Sequence, residues 1–102
     1  DLVFAYPEDA LGVVMSQSVT LEELLQDVPC VDFLSLDIEG EEFAALTRFD
    51  FAKFRPYVIV SEYSTMQPDR SVKNDFRARD LLKRNSYKEV HRTVANIVYI
   101  PA

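Results

Sequence analysis

The chain has 102 residues, which allows one small domain with a modest hydrophobic core. Its 48% hydrophobic content argues against disorder, and a net charge of −6 with scattered Lys and Arg argues against binding to nucleic acid or to an anionic membrane. No apolar run approaches the ~20 residues that span a bilayer. The single cysteine excludes a disulfide framework, and the first residues lack a signal-peptide pattern, so a cytoplasmic location is expected.

The first elements are short. Residues 1–15 offer one strand, either LVFAY or GVVMS. Gly12 stands alone and predicts a turn, because a glycine-rich nucleotide loop needs several glycines. The segment TLEELLQDV (20–28) opens with a capping-box pattern of Thr20 and Glu23, and its leucines fall on one helical face. It predicts a short amphipathic helix.

The middle of the chain reads as strand, helix and strand. VDFLSLDI (31–38) is a nearly continuous apolar run, which predicts a central parallel strand covered on both faces. After Gly40, EEFAALTRF (41–49) places acids in a first helical turn and apolar residues at helical spacing. YVIVSEY (57–63) is again rich in β-branched residues and predicts a second strand. Together these segments predict a βαβ unit.

The last third is more mixed. STMQPDRSVKN (64–74) is polar and without periodicity, which predicts a long surface loop. DFRARDLLKRN (75–85) predicts a third helix, and two β-rich runs at 87–91 and 96–100 predict an antiparallel hairpin. The predicted fold class is α/β, with a mostly parallel sheet, flanking helices and a C-terminal antiparallel hairpin in one domain over residues 1–102.

Acidic residues stand at the carboxyl ends of the two predicted parallel strands. Asp37 and Glu39 follow the first strand, and Glu62 ends the second. Because ligands of open α/β sheets bind beyond these ends, we expect the three carboxylates to converge and one of them to have a shifted pKa. Gly40 follows because the chain must turn sharply there.

Other interpretations of these acids remain open. Glu41 and Glu42 are interpreted as first-turn helix charges, and Glu39 also fits a solvated turn residue. Carboxylates at strand ends also bind Mg²⁺, as in acidic phosphotransfer domains. A non-catalytic α/β module completed by a partner chain is a third possibility. His91, the only histidine, has no nucleophile motif and is interpreted as an exposed or packing residue.

Several segments in this order resemble the C-terminal half of the FkbM-type methyltransferases. In that family a strand ends in an Asp-aliphatic-Glu-Gly segment with a further Glu, matched here by Asp37, Ile38, Glu39, Gly40 and Glu42. Further matches to the family pattern are Thr20 and Leu21 before the strand, Glu62 at the end of the next strand and Asn96 in the last strand. Ser35 stands where the family often has a lysine.

The resemblance implies a partial Rossmann-like fold and an S-adenosylmethionine-dependent O-methyltransferase that acts on a hydroxyl acceptor, such as a sugar or a secondary metabolite. It implies that Asp37 contacts the acceptor hydroxyl or the amino group of the cofactor. Glu39 or Glu62 would orient Asp37 or act as the base, and no metal ligand is assigned.

The cofactor-binding half of the family pattern has no match in this sequence. Neither its glycine-rich turn nor its ribose-binding acid is present. Residues 1–102 are therefore predicted to be the C-terminal half of a methyltransferase domain, inactive in isolation and weak in binding S-adenosylmethionine. Such a half domain leaves an edge of strand 31–38 unpaired, which predicts a homo-oligomer through that edge.

Overall fold

The computed structural model describes the backbone of residues 2–5 and 14–17, and residues 18–102 in full. Its elements, in chain order, are β1 (Leu2–Ala5), β2 (Val14–Gln17), α1 (Leu21–Leu24), β3 (Phe33–Leu36), α2 (Glu42–Thr47), β4 (Val58–Glu62), β5 (Ser64–Met66), β6 (Val72–Asn74), α3 (Arg77–Arg84), β7 (Tyr87–Arg92) and β8 (Asn96–Pro101). The turn predicted at Gly12 lies outside the described residues.

A mixed sheet of four strands, in the order β3-β4-β8-β7, organises the chain. β3 and β4 are parallel, as the predicted βαβ unit requires, while β8 is antiparallel to both β4 and β7. The prediction of a mostly parallel sheet is therefore wrong. The prediction of a C-terminal antiparallel hairpin, formed by β7 and β8, is confirmed. Its second strand, β8, lies between β4 and β7 and is antiparallel to both.

The three predicted helices are present and shorter than expected. The Thr20 hydroxyl accepts a hydrogen bond from the Glu23 N–H group (3.1 Å) and caps α1, as the capping pattern indicates. α3 ends at Asn85, whose N–H group bonds back to the carbonyls of the last helical turn. None of the described helices has the length and the apolar stretch needed to cross a membrane.

Residues 64–74, predicted as a loop, instead contain a small antiparallel hairpin. β5 and β6 pair with Ser64 opposite Asn74 and Met66 opposite Val72. Each strand has only three residues, and none of them is buried. The sequence therefore shows no alternation of apolar and polar residues there. This hairpin, which we call the β5–β6 hairpin, directly follows the carboxyl end of β4.

The core lies between one face of the sheet and the helices. Alternate strand residues point into it, which is the period-two pattern of a half-buried sheet. Its buried apolar members are Leu34, Leu36, Leu46, Phe49, Phe54, Ile59, Ala78, Leu82, Tyr87, Ile97 and Tyr99. The buried Tyr87 hydroxyl has a hydrogen-bond partner, because it donates to the Pro56 carbonyl (2.8 Å).

Among the described residues, β3 is an edge strand rather than the predicted central strand. The N-terminal segment supplies two strands, not one, and they pair with each other in a separate sheet instead of covering β3. Phe33 on β3 is 60% exposed.

We propose that copies of this chain associate through the β3 edge, where unpaired backbone groups and an exposed aromatic ring favour pairing. Light scattering at micromolar concentration is expected to give at least a dimer. Phe33→Lys places a charge on the edge and should shift the equilibrium toward monomer. The matched control is Val94→Lys in the β7–β8 turn, where Val94 is 90% exposed. A stable wild-type monomer contradicts the proposal, as does equal dissociation by both variants.

Candidate functional site

The site is built on the turn between β3 and α2. Two consecutive residues of this turn have positive φ angles, Glu39 at 57° and Gly40 at 98°. A Cβ at residue 40 would meet only Thr65 Oγ1, at 4.0 Å, so the backbone conformation rather than crowding requires glycine. The left-handed conformation of Glu39 is uncommon for a residue with a side chain and costs on the order of 1 kcal/mol. The sharp turn predicted here is confirmed.

Glu42 closes this turn from the first position of α2. Its side chain is buried, with 4% of the residue exposed. The Ile38 N–H group donates to Glu42 Oε2 (2.7 Å), and the Gly40 N–H group donates to Glu42 Oε1 (3.0 Å). Glu42 stands in the first turn of α2, as interpreted from the sequence, but it is buried and also binds the backbone of the turn, whereas the neighbouring Glu41 is exposed. A Glu at the start of a helix, just after a glycine turn, is the signal that could have identified this role.

Three carboxyl groups meet at the carboxyl ends of β3 and β4. Asp37, Glu42 and Glu62 each place one oxygen within 4.8 Å of the other two. The cause is the parallel register, which pairs Leu36 with Ser61 and so aligns the residues that follow, Asp37 and Glu62. The expected convergence is confirmed for these two residues. Glu39 lies outside this group, and Glu42 occupies the third position.

Glu62 has the most perturbed environment of these acids. Burial, a hydrogen bond with Asp37 and the negative charges of Asp37, Glu39 and Glu42 raise its pKa from 4.5 to about 7. Two carboxyl groups can form a hydrogen bond only when one of them carries a proton. In the described part of the chain, Glu62 Oε1 is buried without a hydrogen-bond partner. Below about pH 7 Glu62 therefore carries a proton, which it can donate to a carboxyl oxygen of Asp37.

Residues of β8, of the β7–β8 turn and at the start of α3 hold the end of β4 in place. The Tyr63 hydroxyl donates to the Thr93 carbonyl (3.0 Å), and its ring stacks on Phe76 at a centroid distance of 5.5 Å. Asn96 on β8 pairs directly with Glu62 across the sheet. These contacts fix the backbone that carries Glu62.

A polar cavity of about 190 Å³ opens beside the turn. Its wall combines the β3–α2 turn, the β5–β6 hairpin and the start of α3, through Glu39, Gly40, Glu41, Thr65, Gln67, Lys73, Asp75 and Arg77. The sequence indicated residues 64–74 as a functional surface loop that would cover an acceptor, and the pairing of β5 with β6 determines which of them reach the turn. We call this space the polar cavity.

Ion pairing orders one side of the polar cavity. Arg77 binds both oxygens of Asp75 (2.7 Å for the closest pair) and lies over the ring of Phe43 at 4.7 Å. Hydrogen bonds from Arg77 lower the pKa of Asp75 to about 2. Asp75 therefore stays ionised, and its charge is taken up by Arg77 rather than by a ligand.

Other spaces flank the fold. An apolar groove of about 320 Å³ lies next to Val19, Ile38 and Ala44, and Glu41 lines both this groove and the polar cavity. A cavity of about 290 Å³ lies near Cys30 and Tyr57, at the amino ends of the strands. None of these spaces is lined by the three clustered carboxyl groups. We place the candidate site at the polar cavity because Glu39, Gly40 and Glu41, which line it, lie between Asp37 and Glu42 in the chain.

Comparison with known proteins gives one family. A family model described as "Methyltransferase FkbM domain" matches residues 5–89, which include the turn, the three clustered carboxyl groups and the polar cavity. No curated protein and no solved structure matches the chain.

The raised pKa of Glu62 should make the free energy of unfolding depend on pH. Because the folded state holds this proton more tightly than the unfolded state, the contribution of Glu62 is fully present below pH 4.5 and is lost as pH rises through about 7. Glu62→Gln cannot ionise. Urea unfolding should therefore show the variant gaining stability relative to wild type between pH 4.5 and pH 8.

The control for this experiment is Glu22→Gln, which removes an exposed charge on α1. Its stability relative to wild type should change little between the two pH values. A difference between Glu62→Gln and wild type that is the same at both pH values would show that Glu62 titrates normally.

Proposed function

The chain belongs to the FkbM methyltransferase domain family, and we propose that it takes part in methyl transfer from S-adenosylmethionine to a hydroxyl oxygen of a small polar acceptor. The observation that carries this proposal is the Asp37–Glu62 pair, whose carboxyl groups meet next to the turn that lines the polar cavity. A hydroxyl that accepts a methyl group must lose its proton, and the pair offers a nearby acceptor for it.

The pair suits this task because of its protonation behaviour. General bases work best when their pKa lies near the working pH, and the Glu62 carboxyl, at about 7, meets that condition. Asp37 is exposed at the strand end and can reach an acceptor hydroxyl. In our proposal Glu62 is ionised at the working pH, and Asp37 takes the hydroxyl proton and passes it to the Glu62 carboxylate. Glu39 lines the polar cavity and would bind the acceptor rather than the proton.

The polar cavity supports a hydroxyl-bearing acceptor. Its wall alternates hydrogen-bond donors, such as Lys73 and the Gln67 amide, with acceptors, such as Glu39 and the Thr65 hydroxyl. Vicinal hydroxyl groups need both kinds of partner, so a sugar or a similar polyol fits better than an apolar compound. A volume of about 190 Å³ limits the bound part of the acceptor to a small group.

The residues present fit part of the cofactor. When bound, S-adenosylmethionine supplies a methyl group on a positively charged sulfur. The apolar groove beside Ile38 would cover its ring. A contact of Asp37 with its amino group, which the family resemblance gives as the alternative to the acceptor hydroxyl, would leave the proton to Glu62. We propose that residues outside this chain supply the glycine-rich turn, in a Rossmann-like domain of which residues 1–102 are the C-terminal half. The proposal includes a cytoplasmic location, which the free thiol of Cys30 suits.

A magnesium-dependent phosphotransfer site is less favoured. Both oxygens of Glu42 already accept backbone N–H groups, so this carboxylate is committed to the turn. A cation would therefore compete with two hydrogen bonds that the local fold uses.

The role of Asp37 can be tested in a domain that joins residues 1–102 to a cofactor-binding half. Asp37→Asn removes the proton acceptor and should lower the rate of labelled methyl transfer to a polyol acceptor by about 10²-fold, with little change in stability. Asp32→Asn is the matched control at the other end of β3 and should keep its turnover. Equal rates in the two variants contradict the proposal. Mg²⁺ binding to wild type that is lost in Asp37→Asn would favour phosphotransfer instead.

A further inference from the structure

We propose that Glu42 is a positioning residue: by holding the N–H groups of Ile38 and Gly40, it fixes the turn that brings the Asp37 carboxyl beside the Glu62 carboxyl. This inference rests on the proposed function of the Asp37–Glu62 pair. Glu42 touches neither the polar cavity nor the apolar groove, so it acts through the turn and not on a bound molecule.

The backbone of the turn needs such a support. Glu39 and Gly40 both hold positive φ angles, and an exposed turn residue such as Glu39 could relax from that conformation at little cost. The two amides that Glu42 binds lie on either side of Glu39, at Ile38 and Gly40. One buried carboxylate therefore fixes the strained residue from both sides, and Asp37, directly before Ile38, is fixed with it.

Glu42 is also the carboxyl group of the three whose oxygens are both occupied by hydrogen bonds. Oε1 and Oε2 each accept a backbone N–H group. Glu62 Oε1, by contrast, is buried without a hydrogen-bond partner in the described part of the chain. The proton is therefore left to the Asp37–Glu62 pair, and the charge of Glu42 helps to keep it there.

Three neighbouring elements present groups to Glu62. The β3–α2 turn presents Asp37 and Glu39, and α2 presents Glu42. From β8, the neutral Asn96 is its cross-strand partner. No cation contributes to the environment of Glu62 among the described residues, so the loss of one negative charge or a displaced Asp37 should both favour its ionised form.

Two variants separate positioning from charge. Glu42→Asp keeps the negative charge but is one methylene shorter, so it cannot reach both amides. Glu42→Gln keeps the length but loses the charge and one acceptor oxygen. The matched control is Glu41→Gln, which removes a charge from the adjacent exposed position.

Nuclear magnetic resonance on the chain itself provides the readouts. In both Glu42 variants, hydrogen exchange of the Ile38 and Gly40 amides should accelerate at least about tenfold relative to the other amides of β3 and α2. The carboxyl ¹³C titration midpoint of Glu62 should move from about 7 toward 4.5 in both variants. Glu41→Gln should leave both quantities unchanged.

The Glu42→Asp variant distinguishes the two roles most sharply. If its Glu62 midpoint stays at about 7, charge alone is responsible and the positioning role is wrong. If the variants do not fold, the wild-type chain still tests the proposal, because the amide ¹H shifts of Ile38 and Gly40 must follow the ionisation of the Glu42 carboxyl with the same midpoint. Amide ¹H shifts of Ile38 and Gly40 that do not change with this ionisation would overturn the proposal.

These readouts involve no methyl transfer. Failure of the positioning role appears in the exchange and titration data, whereas failure of the proposed reaction appears as a lack of labelled product when those data are as expected.

Discussion

The parallel pairing of β3 with β4 is the constraint on which the candidate site depends. It places the carboxyl ends of both strands at the same edge, one residue beyond the Leu36–Ser61 pair, and so sets Asp37 beside Glu62. There Glu62 is partly desolvated and faces the negative charges of Asp37, Glu39 and Glu42, so it holds a proton up to about pH 7. The rest of the fold supports this register, because α2 and α3 pack over the buried face of the same strands.

The strained turn between β3 and α2 holds the clustered carboxyl groups in place. The left-handed Glu39 and Gly40 let the chain reverse within a few residues, and the buried Glu42 satisfies the backbone groups that this reversal leaves open. The same turn forms one wall of the polar cavity and one wall of the apolar groove. In the proposed reaction, the acceptor hydroxyl and the proton acceptor meet at this one turn.

Local patterns in the sequence predicted the elements better than their arrangement. The apolar runs indicated both parallel strands, and the alternation from Tyr87 onward indicated the C-terminal hairpin. Nothing local indicates that β8 inserts between β4 and β7, since that choice depends on how the hairpin packs against β4. The β5–β6 hairpin carries no apolar alternation, so the segment was predicted as a loop over the acceptor and the positions of Thr65 and Lys73 in the cavity wall could not be predicted. Asp37 and Glu62 were predictable because strand ends converge, whereas Glu42 required its buried hydrogen bonds to be seen.

The central claim is that Glu62 holds a proton up to about pH 7 and donates it to Asp37. Neutron diffraction from a deuterated crystal at pH 6, below the pKa of about 7 for Glu62, locates that proton directly. The account predicts nuclear density for one deuteron between the carboxyl oxygens of Asp37 and Glu62. A Glu62 carboxyl without a deuteron at this pH would contradict it.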